Sequence, residues 1–318
     1  MEFGPCGGVR PDLSCEMRAQ PCPFAVAGEV VEWTGPQADT RLQLGSSKTL
    51  VLTDFTVRPY DLASVEAVAA ALRGSCDGVL VGEHHNRPDF PPSLMTRLIT
   101  EAGLAAWVTL TCRDRNRVVL EQELAGLVAA GASGVLCVTG DGRAHDVRPE
   151  VTQVFDIDST RLAALAASTG LTVAVAESPD APPVALRPGR LREKQRAGAQ
   201  ICLLNHVSSP ARVAEFVSVA RDSGVSMPVI AGVAVYTDER SARALSLPGL
   251  GLDQAVVQRV LSSADPVAAG IEAAVTEAQE LLAVDGVVGV NLSGLASGRG
   301  EVLAAEIKAE VGRTVLAQ

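Results

Sequence analysis

Aromatic residues are scarce in this chain: 3% of 318 residues, against 47% hydrophobic. A core of this size must be built from Ala, Val, Leu and Ile, which suits parallel strands covered on both faces by helices. A basic excess is missing too. The net charge of −10 argues against nucleic acid as a partner, because phosphate binding needs a basic surface. No apolar run reaches ~18 residues, and the N-terminus lacks a basic stretch followed by an apolar one. No membrane span is therefore expected, and the cytoplasm is the expected location. The seven cysteines are an odd number in a long chain, which argues against a disulfide framework. Cys76, Cys112, Cys137 and Cys202 sit singly in or near predicted strands and read as small buried apolar residues.

What the chain does have is alternation. From Thr49 onward, apolar strands alternate with amphipathic helices. Strands are predicted to end near Phe55, Gly82, Thr111, Thr139, Glu177, Asn205, Ala234 and Asn291. Helices are predicted over Ala63–Leu72, Pro92–Gly103, Val118–Ala130, Ser159–Ser168, Arg187–Gly198, Pro210–Gly224, Glu239–Leu245 and Glu301–Val311. Two more, Leu252–Leu261 and Asp265–Val284, enlarge the seventh unit. Eight strand–helix units make an α/β fold, a (β/α)₈ TIM barrel over residues 46–318. An open doubly wound sheet would need a glycine-rich turn after its first strand, and Thr53-Asp54-Phe55-Thr56-Val57-Arg58-Pro59 contains no glycine. Residues 1–45 stand apart. They are rich in Gly, Pro and Cys, with one possible strand at Gly28–Glu32.

In a barrel the strand C-termini converge on one face. This chain places Asp54, Glu83, His84, His85, Arg113, Asp114, Asp141, Glu177, Asn205, His206 and Asn291 at or just beyond those ends. Together they can supply a proton donor, partners for a polar heterocycle and charge for an anion. For any one of them a solvated loop residue is the plain alternative. Asp54 ends an apolar strand, a setting that favours the neutral carboxyl of a proton donor. Adjacent strand residues point in opposite directions, and no HExxH spacing is present, so His84-His85 reads as a polar substrate loop rather than a metal site. Ser297-Gly298-Arg299-Gly300 opens a helix whose amides, with Arg299, can hold a carboxylate.

The runs Thr109-Leu110-Thr111-Cys112-Arg113-Asp114-Arg115-Asn116-Arg117 and Thr139-Gly140-Asp141 resemble motifs of the methylenetetrahydrofolate reductase family. The resemblance extends over about residues 48–315. It implies reduced folate as the small-molecule substrate and hydride transfer that interconverts 5,10-methylene- and 5-methyl-tetrahydrofolate. Asp54, in a segment similar to the family's FEFF, would be the acid, with Glu83 as the next candidate. Asp141 and Asn205 would hold the pterin, and His84, Glu177 and Arg299 would touch other parts of the substrate. Thr109, Thr139 and Lys194 would lie on the cofactor side. Several flavin contacts differ: Thr109 replaces a histidine, Gly82 and Glu83 a Thr-Tyr pair, Ala176 an aromatic, and Arg187 an acidic residue. Glu239 stands where the family has a phenylalanine, and Gly142–Asp146 lacks the usual prolines. FAD is therefore expected to bind weakly or not at all, with NAD(P)H as a possible direct donor. The alternatives are a flavin-free folate enzyme acting on another acceptor, and a non-catalytic folate-binding partner subunit. A homo-oligomer is expected.

The leader Gly4-Pro5-Cys6-Gly7-Gly8, with Cys15 and then Pro21-Cys22-Pro23, is similar to a cysteine-rich piece of acetogen-type reductase partner proteins. A short Gly/Pro arm without a core of its own is expected to need a cross-link. Cys6, Cys15 and Cys22 are thus candidate ligands for zinc or an iron–sulfur cluster, with a fourth ligand from elsewhere. Free thiols are the alternative.

Overall fold

A computed structural model describes residues 1–15, 18–38, 49–83, 88–142, 148–207, 209–245 and 251–317. Eight parallel strands close into a barrel: β3 (Leu50–Asp54), β4 (Gly78–Val81), β5 (Ala106–Thr111), β6 (Gly134–Val138), β7 (Thr172–Glu177), β8 (Ile201–Leu204), β9 (Val229–Tyr236) and β10 (Val287–Ala296). β10 closes the ring by pairing with both β9 and β3. The outer layer is α2 (Leu62–Leu72), α3 (Pro92–Glu101), α4 (Arg117–Ala130), α5 (Ser159–Ala167), α6 (Arg187–Ala197), α7 (Pro210–Asp222), α8 (Glu239–Ala244), α9 (Gln254–Leu261), α10 (Pro266–Leu282) and α11 (Glu301–Leu316). The fold is the expected TIM barrel. No helix among the described residues is long and apolar enough to cross a membrane.

Strand alternation sorts the apolar residues into two layers. Val51, Val79, Val108, Val135 and Val173 pack outward against the helices in the main core. Leu52, Leu80, Trp107, Leu136, Ala174, Leu203 and Ile230 fill the barrel interior. Trp107 fits because both flanking strands offer glycine there. A Cβ on Gly134 would lie 2.5 Å from its ring, and one on Gly78 2.9 Å away. Side-chain caps start several helices: Asp61, Asn116, Asp158, Ser209, Asp238, Asp253 and Asp265 each accept from backbone N–H groups of the first turn.

Two departures from expectation stand out. β10 runs to Ala296, five residues past Asn291, and β9 reaches Tyr236. The two continue as a pair beyond the mouth, with a register irregularity between Ser293 and Ala296 that the apolar pattern does not announce. The leader forms no strand at 28–32. Instead β1 (Ser14–Cys15) pairs antiparallel with β2 (Arg18–Pro21), and α1 (Pro23–Ala27) follows.

The leader also has apolar contacts of its own, contrary to expectation. Val9, Cys22 and Ala25 form one small cluster. Phe3 and Trp33 form another with Ala197 of α6. The rest of the anchoring is polar and comes from the barrel. Asp158 accepts from the amides of Glu2 (2.8 Å) and Phe3 (2.6 Å), and buried Glu193 accepts from the amide of Trp33 (2.7 Å). Arg190 donates to the Phe3 carbonyl (3.2 Å) and Arg187 to that of Cys6 (3.0 Å).

Candidate active site

The C-terminal ends of the strands surround a cleft of about 320 Å³. It brings together Glu83 beyond β4, Thr109 of β5, Thr139 and Asp141 beyond β6, Glu177 of β7, Lys194 of α6 and Asn205 beyond β8. A second cavity of about 410 Å³ shares Gly82, Glu83, Thr109 and Arg113 with it, so the two form one continuous groove. His84, His85 and residues 143–147 lie outside the described residues.

Asp141 owes its place to Gly140. That glycine takes φ +88°, and a Cβ there would press on Thr111 and Arg113 at 3.1–3.2 Å, so the chain can turn tightly only with glycine. The carboxylate of Asp141 then lies on the cleft rim with no hydrogen-bond partner among the described residues. Asn205, beyond β8, lines the same cleft. Its Nδ2 donates to Ser178 Oγ (2.7 Å), which fixes the amide plane and leaves the amide oxygen without a partner among the described residues. Two acceptors without partners among the described residues, beyond β6 and β8 on either side of β7, suit a donor-rich planar heterocycle.

Other expected site residues are engaged by the protein itself. Glu83 is held by both Nη atoms of Arg115 (2.8 and 2.9 Å) and by Thr111 Oγ1. Thr139 Oγ1 accepts from the Ser159 amide (3.1 Å) and so anchors the start of α5. Glu177, 1% exposed in its side chain, is surrounded by Arg187 Nη1 (3.2 Å), Arg190 Nη1 (3.2 Å) and Lys194 Nζ (3.0 Å). Burial alone would raise this carboxyl, but the charges of Lys194, Arg190 and Arg187 outweigh it and hold the group at about 2. Burial and the nearby Arg190 bring Lys194 down to about 8, against the pull of Glu177.

Asp54 is not among the residues lining the cleft. The expected apolar setting is also absent. Its carboxylate accepts from Asn291 Nδ2 (2.8 Å), Ser293 Oγ (3.0 Å) and the Gly294 amide (3.1 Å). Lys308 Nζ donates to its backbone carbonyl (3.0 Å). Arg299 is exposed and lines a separate cavity of about 360 Å³ at the start of α11, with Arg58 and Arg240.

The three leader cysteines do not come together. Cys6 lines the cleft, whereas Cys22 is buried beside Val9 and Ala25. No group of three His, Cys, Asp or Glu side chains among the described residues is placed to hold a metal ion. The leader is fixed by its apolar clusters and by barrel side chains, and that removes the entropic argument for a metal cross-link.

The residues on the cofactor side do not fit a flavin either. Lys194 and Arg187, both buried, direct their donors at Glu177 and at carbonyls: Ala176 for Lys194, and Ala181, Pro182 and Cys6 for Arg187. Cys6 and Gly7 form the adjoining wall. Sequence reasoning missed this wall, along with Ser178 and Arg190, whereas Arg113, read as a strand-end residue, does line the cleft. No local signal announces the wall, because the contacts join positions some 180 residues apart.

The comparisons bear on the whole constellation. An uncharacterised protein from Clostridium thermocellum, which binds two copies of 5-methyl-5,6,7,8-tetrahydrofolic acid, superposes at TM-score 0.64 with 10% identity, over 85% of this chain and 95% of that one. A putative lyase/mutase from Burkholderia cenocepacia J2315 aligns more loosely, at TM-score 0.46 and 16% identity, over 82% of this chain and 79% of that one. No curated protein matches the chain. The family model for methylenetetrahydrofolate reductase matches residues 79–307, which takes in the cleft residues from Glu83 to Asn205 but leaves Asp54 outside. The chain therefore belongs to the methylenetetrahydrofolate reductase family.

Proposed function

We propose that the chain is a cytoplasmic one-carbon enzyme. It binds reduced folate in the cleft and interconverts 5,10-methylene- and 5-methyl-tetrahydrofolate by hydride transfer. The observation that carries this reading is that the Asp141 carboxylate and the oriented amide of Asn205 line one cleft, with the carboxylate and the amide oxygen both without a partner among the described residues. Asp141 accepts two N–H groups from the amino-pyrimidinone edge of the pterin, and Asn205 accepts a further one. The rest of the folate extends along the groove past Glu83 toward Phe90 and Met95. Family membership and the folate bound by the Clostridium thermocellum protein support the choice of ligand. The engagement of Lys194 and Arg187 by Glu177 favours a flavin-free form of the reaction, with the hydride taken directly from a nicotinamide.

Calorimetry with 5-methyl-tetrahydrofolate tests the pterin assignment. Asp141→Ala removes a charge-assisted pair of hydrogen bonds and is expected to weaken binding by about 2–4 kcal/mol. Equal affinity in the two proteins would move the pterin elsewhere. An absorption spectrum of the purified protein tests the flavin-free form, which stoichiometric flavin bands would overturn.

A further inference from the structure

The fold does not require glycine at position 7. The φ of Gly7 lies outside the left-handed region, so any residue can adopt it. A Cβ there would meet only Ser178 Oγ among the described residues, at an ordinary 3.6 Å. Gly4 differs: a Cβ on it would collide with the Phe24 ring at 2.4 Å. Gly7 is exposed, and it lines the cleft beside Cys6. Ser178 is the residue whose Oγ accepts from Asn205 Nδ2 (2.7 Å) and so orients that amide. Position 7 is thus linked through one side chain to the amide assigned to the pterin.

The backbone around Gly7 is held by the barrel. Arg187 donates to the carbonyls of Pro5 (3.5 Å) and Cys6 (3.0 Å), and Arg190 to that of Phe3 (3.2 Å). Cys6 Sγ accepts from the Gly8 amide (3.4 Å), which closes the turn on itself. Both arginines also bind Glu177, which lines the same cleft. Leader, cations and cleft wall form one hydrogen-bonded unit.

We propose that Gly7 is a specificity-determining position of the folate site, where the pterin held by Asn205 packs against the bare Cys6–Gly7 backbone. The docked leader is then part of the binding site. The proposal rests on the folate reading above. A residue without a side chain lets a backbone approach a ligand closely, and that is the use of glycine here. Ligand binding and leader docking must then strengthen one another, by the same factor in each direction. A site made by the barrel alone would bind folate equally well with the leader docked or released.

Calorimetry with 5-methyl-tetrahydrofolate on the full chain tests the position. Gly7→Leu places a side chain in the cleft and is expected to weaken binding roughly 30-fold, and Gly7→Ala roughly threefold. Position 7 is exposed and its φ is permissive, so the urea midpoints of both variants are expected to match wild type. Amide hydrogen exchange tests the coupling without any substitution. The amides of Phe3 and Trp33, bound to Asp158 and Glu193, report release of the leader. Saturating 5-methyl-tetrahydrofolate is expected to slow their exchange roughly tenfold or more. The amides of α2, which contributes nothing to the cleft, serve as the control and are expected not to move. Should Gly7→Leu prove unstable, Gly7→Ala and the wild-type exchange decide. Binding by Gly7→Leu within about threefold of wild type, or leader exchange unmoved while folate is bound, would overturn the role of the leader and leave the folate reading intact. A wild type that does not bind 5-methyl-tetrahydrofolate would overturn both.

Discussion

Two carboxyl groups near the barrel mouth have opposite surroundings. Glu177 ends β7 among Arg187, Arg190 and Lys194 and is held at about 2. Glu277, on α10, accepts among the described residues only the amide of Ala234 (3.0 Å), and burial, with some repulsion from Glu280, pushes it up to about 7. Glu177 is fully buried, and Glu277 is partly buried at the edge of a cavity. What separates them is the presence of cations, which decides whether a carboxyl acts as a fixed anchor or titrates near neutrality. Glu177 is thereby bound into the leader, since Arg187 and Arg190 also hold the carbonyls of Cys6 and Phe3. Glu277 lines a cavity of about 400 Å³ with Tyr236 and Arg259, and no ion pair to it occurs among the described residues.

Breaking the Glu177 cluster has the largest expected effect. Glu177→Gln leaves three buried cations without their counter-charge and is expected to destabilise the fold by about 3–5 kcal/mol at pH 7, measured by urea melts. The pH dependence has a fixed sign. The folded carboxyl titrates below its ordinary 4.5, so its contribution is complete above that pH and is lost as the pH falls toward 2. The shift corresponds to on the order of 3 kcal/mol. The variant is expected to lack this acid limb. If wild type and variant lose stability in parallel below pH 4.5, another group carries it.

Arg187→Met comes next. It leaves two cations on Glu177 but removes the donors to Ala181, Pro182, Pro5 and Cys6. A loss of about 2–3 kcal/mol is expected. Because the leader is held from this side chain, proteolysis within residues 1–38 is expected to accelerate more than cleavage of the barrel. Unchanged cleavage there would show that Asp158, Glu193 and the Phe3–Trp33 cluster suffice.

The same contrast shows what the sequence made legible. Most strand ends and helix spans followed from apolar periodicity, and so did the placing of Asp141 and Asn205 on one cleft, because barrel topology brings strand ends to one face. Roles that depend on a neighbour's charge were not legible. Lys194 reads as a cofactor contact and Arg187 as a lost one, yet both serve Glu177, which no spacing rule connects to them as a cluster. Asp54 reads as an isolated acid in an apolar strand, because its three donors all come from β10, some 240 residues later. The leader has no period at all, so its anchoring by α5 and α6 side chains leaves no trace in its own sequence.

Glu277→Gln is expected to act in the opposite direction from Glu177→Gln. The folded carboxyl is raised above its ordinary 4.5, so its cost is absent below that pH, builds as the pH rises and is complete above about 7. Gln keeps an acceptor for the Ala234 amide and removes the charge. A gain of about 1–3 kcal/mol at pH 8, vanishing by pH 4.5, is expected, the range allowing for partial solvent screening. A variant less stable than wild type at pH 8 would mean that the ionised carboxylate has a partner in solution.

The smallest effect sharpens the comparison most directly. If cations are what distinguish the two sites, supplying one should move Glu277 toward the behaviour of Glu177. Glu280, which repels it, is exposed on the same helix and lines the same cavity. Glu280→Lys replaces that repulsion with attraction. An exposed charge is worth about 0.2–1 kcal/mol, so the Glu277 midpoint should fall by up to roughly one pH unit. Glu280→Gln should give about half of that shift, because it removes the repulsion without adding attraction. Carboxyl ¹³C titration of Glu277 reads both values. A midpoint unmoved in the Lys variant would leave burial alone as the cause, and the cations around Glu177 would then matter for their hydrogen bonds more than for their charge.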